Sequence, residues 1–203
     1  MMSRLRLAFA GLGVLAAVFV AAPRPALAQA ATQATPATGF RAEFLADWDD
    51  FSKKVVSLAE AMPAEKFTWR PNPQVRSVSE IYMHIAGGNF SFPRAVGMPP
   101  PADVDLHGLD KIADKARVVE ILKQSVEYVR QAVLKTSDTD LDKSVKLSGA
   151  DTTVRNVFYI IGTHQHEHFG LAIAYARANG VVPPWTAARQ VQQHEHEQQK
   201  PKL

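Results

Sequence analysis

The sequence predicts an all-α chain, a four-helix bundle with a long crossover loop between helices 2 and 3. Two observations carry this. Four segments repeat apolar residues at steps of three and four, the helical period, and no segment shows the sustained alternation of a half-buried strand. Between the second and third segments lie Pro93 and Pro99-Pro100-Pro101, too much irregular chain for a tight helical hairpin.

The chain begins with Arg4 and Arg6, an apolar run from Leu7 to Ala22, and Ala26-Leu27-Ala28 ahead of Gln29. A basic start, an apolar run and a small-residue A-x-A site, in that order, predict a cleaved signal peptide over 1–28. The run is short for a membrane span of about 20 residues, and Pro23 and Pro25 interrupt it before the site. The expected destination is export, to the periplasm, with no stable membrane span after cleavage. Residues 29–38, rich in Ala, Thr, Gln and Pro, read as a flexible leader. The bundle domain is expected over 39–185, and 186–203 as a polar disordered tail.

Export changes the meaning of the charge. The chain carries 23 Lys+Arg against 20 Asp+Glu, but Arg4, Arg6 and Arg24 belong to the targeting segment. Without them the balance is zero, so the basic excess gives no support to nucleic-acid binding, and no nucleic-acid partner is expected. There is no cysteine. Disulfides, thiolate metal sites and cysteine nucleophiles are excluded, and a metal would need His, Asp, Glu or water.

The first helix is predicted from Arg41 to Met62, with Phe44, Trp48, Phe51, Val55, Leu58 and Ala59 on one face and Pro63 ending it. Ala64 to Gln74, carrying Phe67 and Trp69, reads as an ordered connection. Ser77 with Glu80 three residues later is a capping box that opens the second helix. Its stripe is Val78, Ile81, Tyr82 and Ile85, with His84 beside it, and Gly87-Gly88 weakens its end. The third helix is predicted from Asp110 to Leu134, burying Ile112, Ala116, Val119, Leu122, Val126, Val129 and Val133. Thr136 to Ala150 reads as a polar loop. Thr152 or Thr153 caps a fourth helix running to about Ala178. Asn179-Gly180 stops it and Pro183-Pro184 is expected to prevent a restart. Trp185 is expected to pack back on the bundle.

The most informative stretch is Thr163-His164-Gln165-His166-Glu167-His168-Phe169-Gly170. On a helix, His164 and His168 stand about 6 Å apart along the axis and about 40° apart around it. Val157, Ile161, His164, His168, Leu171 and Tyr175 make one stripe at steps of four and three. His166 falls about 200° round from His164 and points elsewhere. A buried polar group without a partner costs about 1–3 kcal/mol. Two neighbouring imidazoles in an apolar stripe therefore either share a metal ion or each find a carbonyl or carboxylate.

Several ordered pieces resemble the DinB superfamily: Trp69-Arg70-Pro71, then Arg76-Ser77-Val78-Ser79-Glu80-Ile81 and His84. The strongest is His164-x-x-x-His168 leading into Phe169-Gly170, Ala174-Tyr175-Ala176-Arg177 and Asn179-Gly180-Val181-Val182-Pro183-Pro184. The resemblance covers Thr38 to Trp185. It implies one divalent metal ion held by three histidines, here His84, His164 and His168; imidazole ligands make Zn, Ni or Fe the expected ion. It further implies a metal-dependent enzyme, a hydrolase or a thiol-type transferase, acting on a small-molecule substrate. The alternative is a non-catalytic metal-binding or stress-related helical bundle. Family bundles often pair, and nothing in this sequence decides for or against a homodimer. One departure stands out: Gly170-Leu171 occupies the place where the family often has Gly-Gln.

The sequence assigns no catalytic residue. His166 reads as solvated or at an interface, and Glu167 as an exposed helix residue rather than a general base. Tyr82 and Tyr175 read as core aromatics, and Asn89 and Arg94 as loop polar residues rather than the lining of a pocket mouth. Arg177 suits the end of its helix. His107 has no motif around it, and His194-Glu195-His196-Glu197 reads as a solvated tail.

Overall fold

The structure is a computed structural model that describes residue 36 and residues 38–199. The predicted signal peptide over 1–28, nearly all of the leader and the last four residues lie outside the described residues. The described chain is mostly helical with one small hairpin. In order it forms α1 (Phe40–Ala61), α2 (Val78–Ser91), α3 (Lys115–Lys135), β1 (Ser144–Leu147), β2 (Ala150–Thr153), α4 (Val154–Ala178) and α5 (Pro184–Gln198). Among the described residues no helix is long and apolar enough to cross a membrane.

Helix α1 ends where Met62 turns extended ahead of Pro63, as the ring of a following proline requires. Helix α2 begins with the expected capping box. The Ser77 hydroxyl accepts from the Glu80 N–H at 3.3 Å, and the Glu80 carboxylate accepts from the Ser77 N–H at 2.9 Å. Helix α4 is capped by Thr153, whose hydroxyl accepts from the Asn156 N–H.

Three expectations are corrected. The third helix starts at Lys115, not Asp110, because the Asp114 carboxylate caps it by accepting from the Arg117 N–H at 2.9 Å. Leu109–Lys111 is a separate 3₁₀ turn, Ile112 lies outside the helix, and Ala116 is exposed. The buried face is turned to Val118, Ile121, Leu122, Ser125, Val129, Ala132 and Val133. The polar loop after it holds β1 and the turn of the hairpin, whose second strand runs on to Thr153. Ser148 and Gly149 have φ of 50° and 87°, the left-handed pair that a two-residue hairpin turn needs, and Leu147 pairs with Ala150 across it. Finally, Pro184 does not prevent a restart but makes one. It sits in the first turn of α5, where its missing N–H leaves no bond unmade. The segment expected to be a disordered tail is helical as far as Gln198, although α5 has no buried residue. Among the described residues, the four predicted helices and no strand are thus five α-helices and a hairpin.

The core lies between α1, α2, α3 and α4. Val55, Leu58, Ile81, Ile85, Val118, Leu122, Phe169 and Ala176 meet in one cluster. Leu45, Trp48, Val129, Val133, Val157, Phe158 and Ile161 meet in a second. The Trp48 indole N–H donates to the Val126 carbonyl at 3.2 Å, tying α1 to α3. The connection from α2 to α3 is long, as expected. It is held down by the Tyr128 hydroxyl, 2.7 and 2.6 Å from the Met98 and Pro99 carbonyls, and by buried Leu109. Trp185 does pack back, its ring centroid 5.4 Å from that of Phe169.

Candidate metal centre

Helix α2 supplies His84 and helix α4 supplies His164 and His168. Their packing brings three imidazoles together from positions far apart in the sequence. His84 Nε2 and His164 Nε2 are 3.2 Å apart. The His168 ring stands edge-on to both others, with centroids 4.4 Å from His84 and 4.6 Å from His164. Each residue offers a ligand atom, and these atoms all lie within 4.8 Å of one another.

Two features set this cluster apart from three satisfied core histidines. The Nδ1 atoms of His164 and His168 are buried and have no hydrogen-bond partner. Among the described residues no carboxylate or carbonyl bonds any of the three rings; the one contact of hydrogen-bond length is between His84 and His164. The bland alternative offered by the sequence, a separate carbonyl or acid for each ring, is therefore not what the fold provides.

The electrostatics keep all three rings neutral near pH 7. Burial pulls His84 down to about 4, with the Arg76 and His168 charges adding and Glu167 opposing. Burial, His168, His84 and Arg76 together pull His164 down to about 4. His168 is lowered by burial, opposed by Glu167 and helped by Arg76. A neutral imidazole has the lone pair that a metal needs.

The close approach of α4 to α2 depends on Gly88. A β-carbon built there would stand 2.5 Å from His164 Cε1, 2.8 Å from His164 Nδ1 and 3.1 Å from a Phe92 ring carbon. The glycine that seemed only to weaken α2 is the floor on which the His164 ring rests, while Phe92 meets that ring edge-on at 5.2 Å.

The cluster is not sealed. His168 is 7% exposed, and His84 and His164 are half-buried. The last two form part of the wall of an open cleft of about 710 Å³, which Arg76, Glu80, Gly88, His107 and Asp110 also line. His107, which has no sequence motif, is therefore brought near the site.

The α4 stripe differs in phase from the one read in the sequence. Leu171 is 43% exposed, while Gln165 and Phe169 are buried. This places His164 at the edge of the core rather than its centre, which is why the site opens to the cleft. The structure also shows a buried polar chain that the sequence reading missed. The Asn89 amide donates to Ser125 Oγ at 3.1 Å and to Gln165 Oε1 at 3.4 Å, and Gln165 donates to Ser52 Oγ at 3.1 Å. Ser125 donates on to the Leu122 carbonyl at 2.8 Å. Each of α1 to α4 contributes one of these four buried side chains. Gln165 lies between the two α4 histidines, so fixing its amide fixes the rotation of α4. Asn89 is thus a core residue, not a loop residue. A signal was present: Ser52, Ser125 and Gln165 are polar residues at core-facing steps of their helices.

The remaining candidates fall away from the triad. Tyr82 is buried, its phenol pushed up by desolvation, and Tyr175 meets Trp69 edge-on at 5.3 Å. His166 stacks on Phe51 and its Nδ1–H donates to the Gly162 carbonyl at 2.8 Å. Glu167, Arg94 and Arg177 are exposed. In the tail, His194 lies 4.0 Å from Glu197 on the exposed α5.

A helical fold with three histidines gathered from its second and fourth helices defines a class of proteins equipped to hold a metal. The family model of the DinB superfamily matches residues 47–172, more than half of the chain and all three histidines, and the chain belongs to that superfamily. Two solved structures are similar to it. A DinB-like protein from Bacillus cereus ATCC 10987 aligns with TM-score 0.63 at 14% identity, covering 70% of this chain and 93% of that one. A DinB-like protein from Bacillus subtilis aligns with TM-score 0.50 at 18% identity, again over 70% and 93%. At such identities the likeness is one of fold. No curated protein matches the chain.

Proposed function

We propose that His84, His164 and His168 hold one divalent metal ion, Zn, Ni or Fe, and that the protein is an exported metal-dependent enzyme acting on a small molecule. The observation that carries this reading is the cluster itself: three neutral imidazoles whose ligand atoms lie within 4.8 Å, two with buried unpartnered Nδ1 atoms. Such a donor set suits a borderline metal ion. Three protein ligands are also the number that catalytic rather than closed structural zinc sites use. A bound ion would supply Lewis acidity to a water, thiol or carbonyl arriving through the cleft.

Hydrolysis or thiol-type transfer are the reaction classes this reading takes from the family resemblance. Export, which rests on the order of segments in 1–28, favours hydrolysis, because low-molecular-weight thiols belong mainly to reducing compartments. The test is a panel of activated esters and amides, and of electrophiles with added thiol, run with protein loaded with each of Zn, Ni and Fe. Turnover that disappears in His164→Ala supports the reading; a panel with no turnover under any metal contradicts its enzymatic part. One observation favours a second reading, a non-catalytic metal-binding bundle. Among the described residues no acid is hydrogen-bonded to the triad; Glu80, His107 and Asp110 line the cleft without bonding any of the three rings.

A further inference from the structure

Arg76 is exposed and holds no other described residue by a hydrogen bond or ion pair. It stands just before the α2 cap and lines the same cleft as His84 and His164. Its neighbour in sequence, Arg70, is engaged by contrast. Arg70 donates to the Glu80 carboxylate at 2.6 Å and to the Val75 carbonyl at 3.1 Å. Glu80, which also lines the cleft, takes its hydrogen bonds from Arg70 and the Ser77 N–H; the Arg76 charge acts on it from a distance without a hydrogen bond. Arg76 is the only Arg or Lys in the described lining, and Asp110 is the only other acid.

Arg76 is exposed, and its guanidinium would repel a divalent cation held by the triad across the open cleft they share. The arrangement becomes favourable when an anion lies between the two charges. We propose that Arg76 is the anchor for an anionic group of the substrate, a carboxylate or a phosphate, held in the cleft between the guanidinium and the metal centre. The substrate class is then a small oxyanion-bearing molecule rather than a neutral one. A guanidinium fork matches both groups, donating two parallel N–H bonds. This rests on the metal reading above, and the test separates the two.

The experiment uses the protein loaded with cobalt(II), whose visible bands report on the coordination of the ion. Acetate, phosphate and, as a neutral control, acetamide are titrated into wild type, Arg76→Gln and Arg76→Lys. The expected result is a saturable band shift with acetate or phosphate and none with acetamide. The anion that shifts the bands at lower concentration identifies the carboxylate or phosphate arm. Arg76→Gln should show the same anion-free bands and melting temperature but bind the anion about tenfold more weakly or worse, as loss of a charge-assisted pair implies. Arg76→Lys, which keeps the charge but not the fork, should fall between. Normal bands with equal anion affinity in wild type and Arg76→Gln would overturn the anchor and leave the metal reading intact. Normal bands that no anion shifts would do the same. Absence of cobalt bands in the wild type would overturn the metal reading and the anchor with it.

Discussion

Gly88→Ala is a one-carbon perturbation with a defined target. The added methyl would stand 2.5 Å from His164 Cε1 and 2.8 Å from its Nδ1. Carbon atoms at rest are separated by about 3.5–4.0 Å, so ring or helix must give by about 1 Å. A functional constellation tolerates about 0.5 Å of displacement. Alanine is the better helix former by about 1 kcal/mol, whereas overpacking of this kind costs about 1–3 kcal/mol. The two offset in part, leaving a net cost of about 0–2 kcal/mol while the imidazole is displaced. We therefore expect Gly88→Ala to fold, to melt at or a few degrees below the wild type when metal-free, and to bind Zn at least about tenfold more weakly, the range seen when supports of metal ligands are altered. Affinity is read by competition with a chromophoric chelator. Gly87→Ala is the control. Its methyl would meet only Leu109 Cδ1 at 3.6 Å, an ordinary contact, and it should leave affinity unchanged and stabilise the fold slightly. Equal Zn affinity in Gly88→Ala and wild type would refute the claim that His164 is positioned against this glycine.

Two further predictions follow from the same contacts. Gln165→Leu removes the amide that joins Asn89 to Ser52; with buried groups left unpaired, urea unfolding should show a loss of about 1–3 kcal/mol, and an unchanged midpoint would mean that water replaces the amide. The metal-free protein should lose stability as pH falls from about 6.5 toward 4, because His84 and His164 are pulled down to about 4 in the fold while unfolded imidazoles titrate near 6.5. The unfolded chain then binds protons first, so the stabilisation is present above about 6.5 and is lost on acidification; His84→Ala with His164→Ala should flatten that slope in melting scans taken across the range, and an unchanged slope would refute the assignment.

What the sequence revealed, and what it did not, divides along physical lines. Local signals were legible. The Ser77–Glu80 capping box, the Thr153 cap and the stop at Pro63 depend only on a few adjacent residues. Spacing along one helix placed His164 and His168 together, but His84 came from the family resemblance, because nothing local distinguishes a histidine beside an apolar stripe. Rotational phase was less legible. Leu171 and Gln165 are neighbours of the same stripe, and apolarity favours Leu171, yet Gln165 is buried because Asn89 and Ser52 supply its bonds from other helices. In the sequence Gly88 is only a helix weakness, because its tertiary contact, the His164 ring, lies 76 residues on. Pro184 looks like a terminator in the sequence, although proline in a first turn starts a helix as readily as it ends one. The hairpin was missed because Ser148-Gly149 joins strands too short to show alternation.

The central claim is that three histidines from two helices hold one metal ion. It is tested most directly by elemental analysis of untagged protein comprising residues 29–203, purified without added metal and then dialysed against a panel of divalent ions. His84→Ala, His164→Ala, His168→Ala and His166→Ala are carried alongside. The account predicts about one equivalent of Zn, Ni or Fe in the wild type and in His166→Ala, whose ring is engaged with Phe51 and Gly162. It predicts loss of that metal in each of the other three. A wild type that takes up no metal from any ion in the panel, or triad variants that retain it in full, would contradict the account.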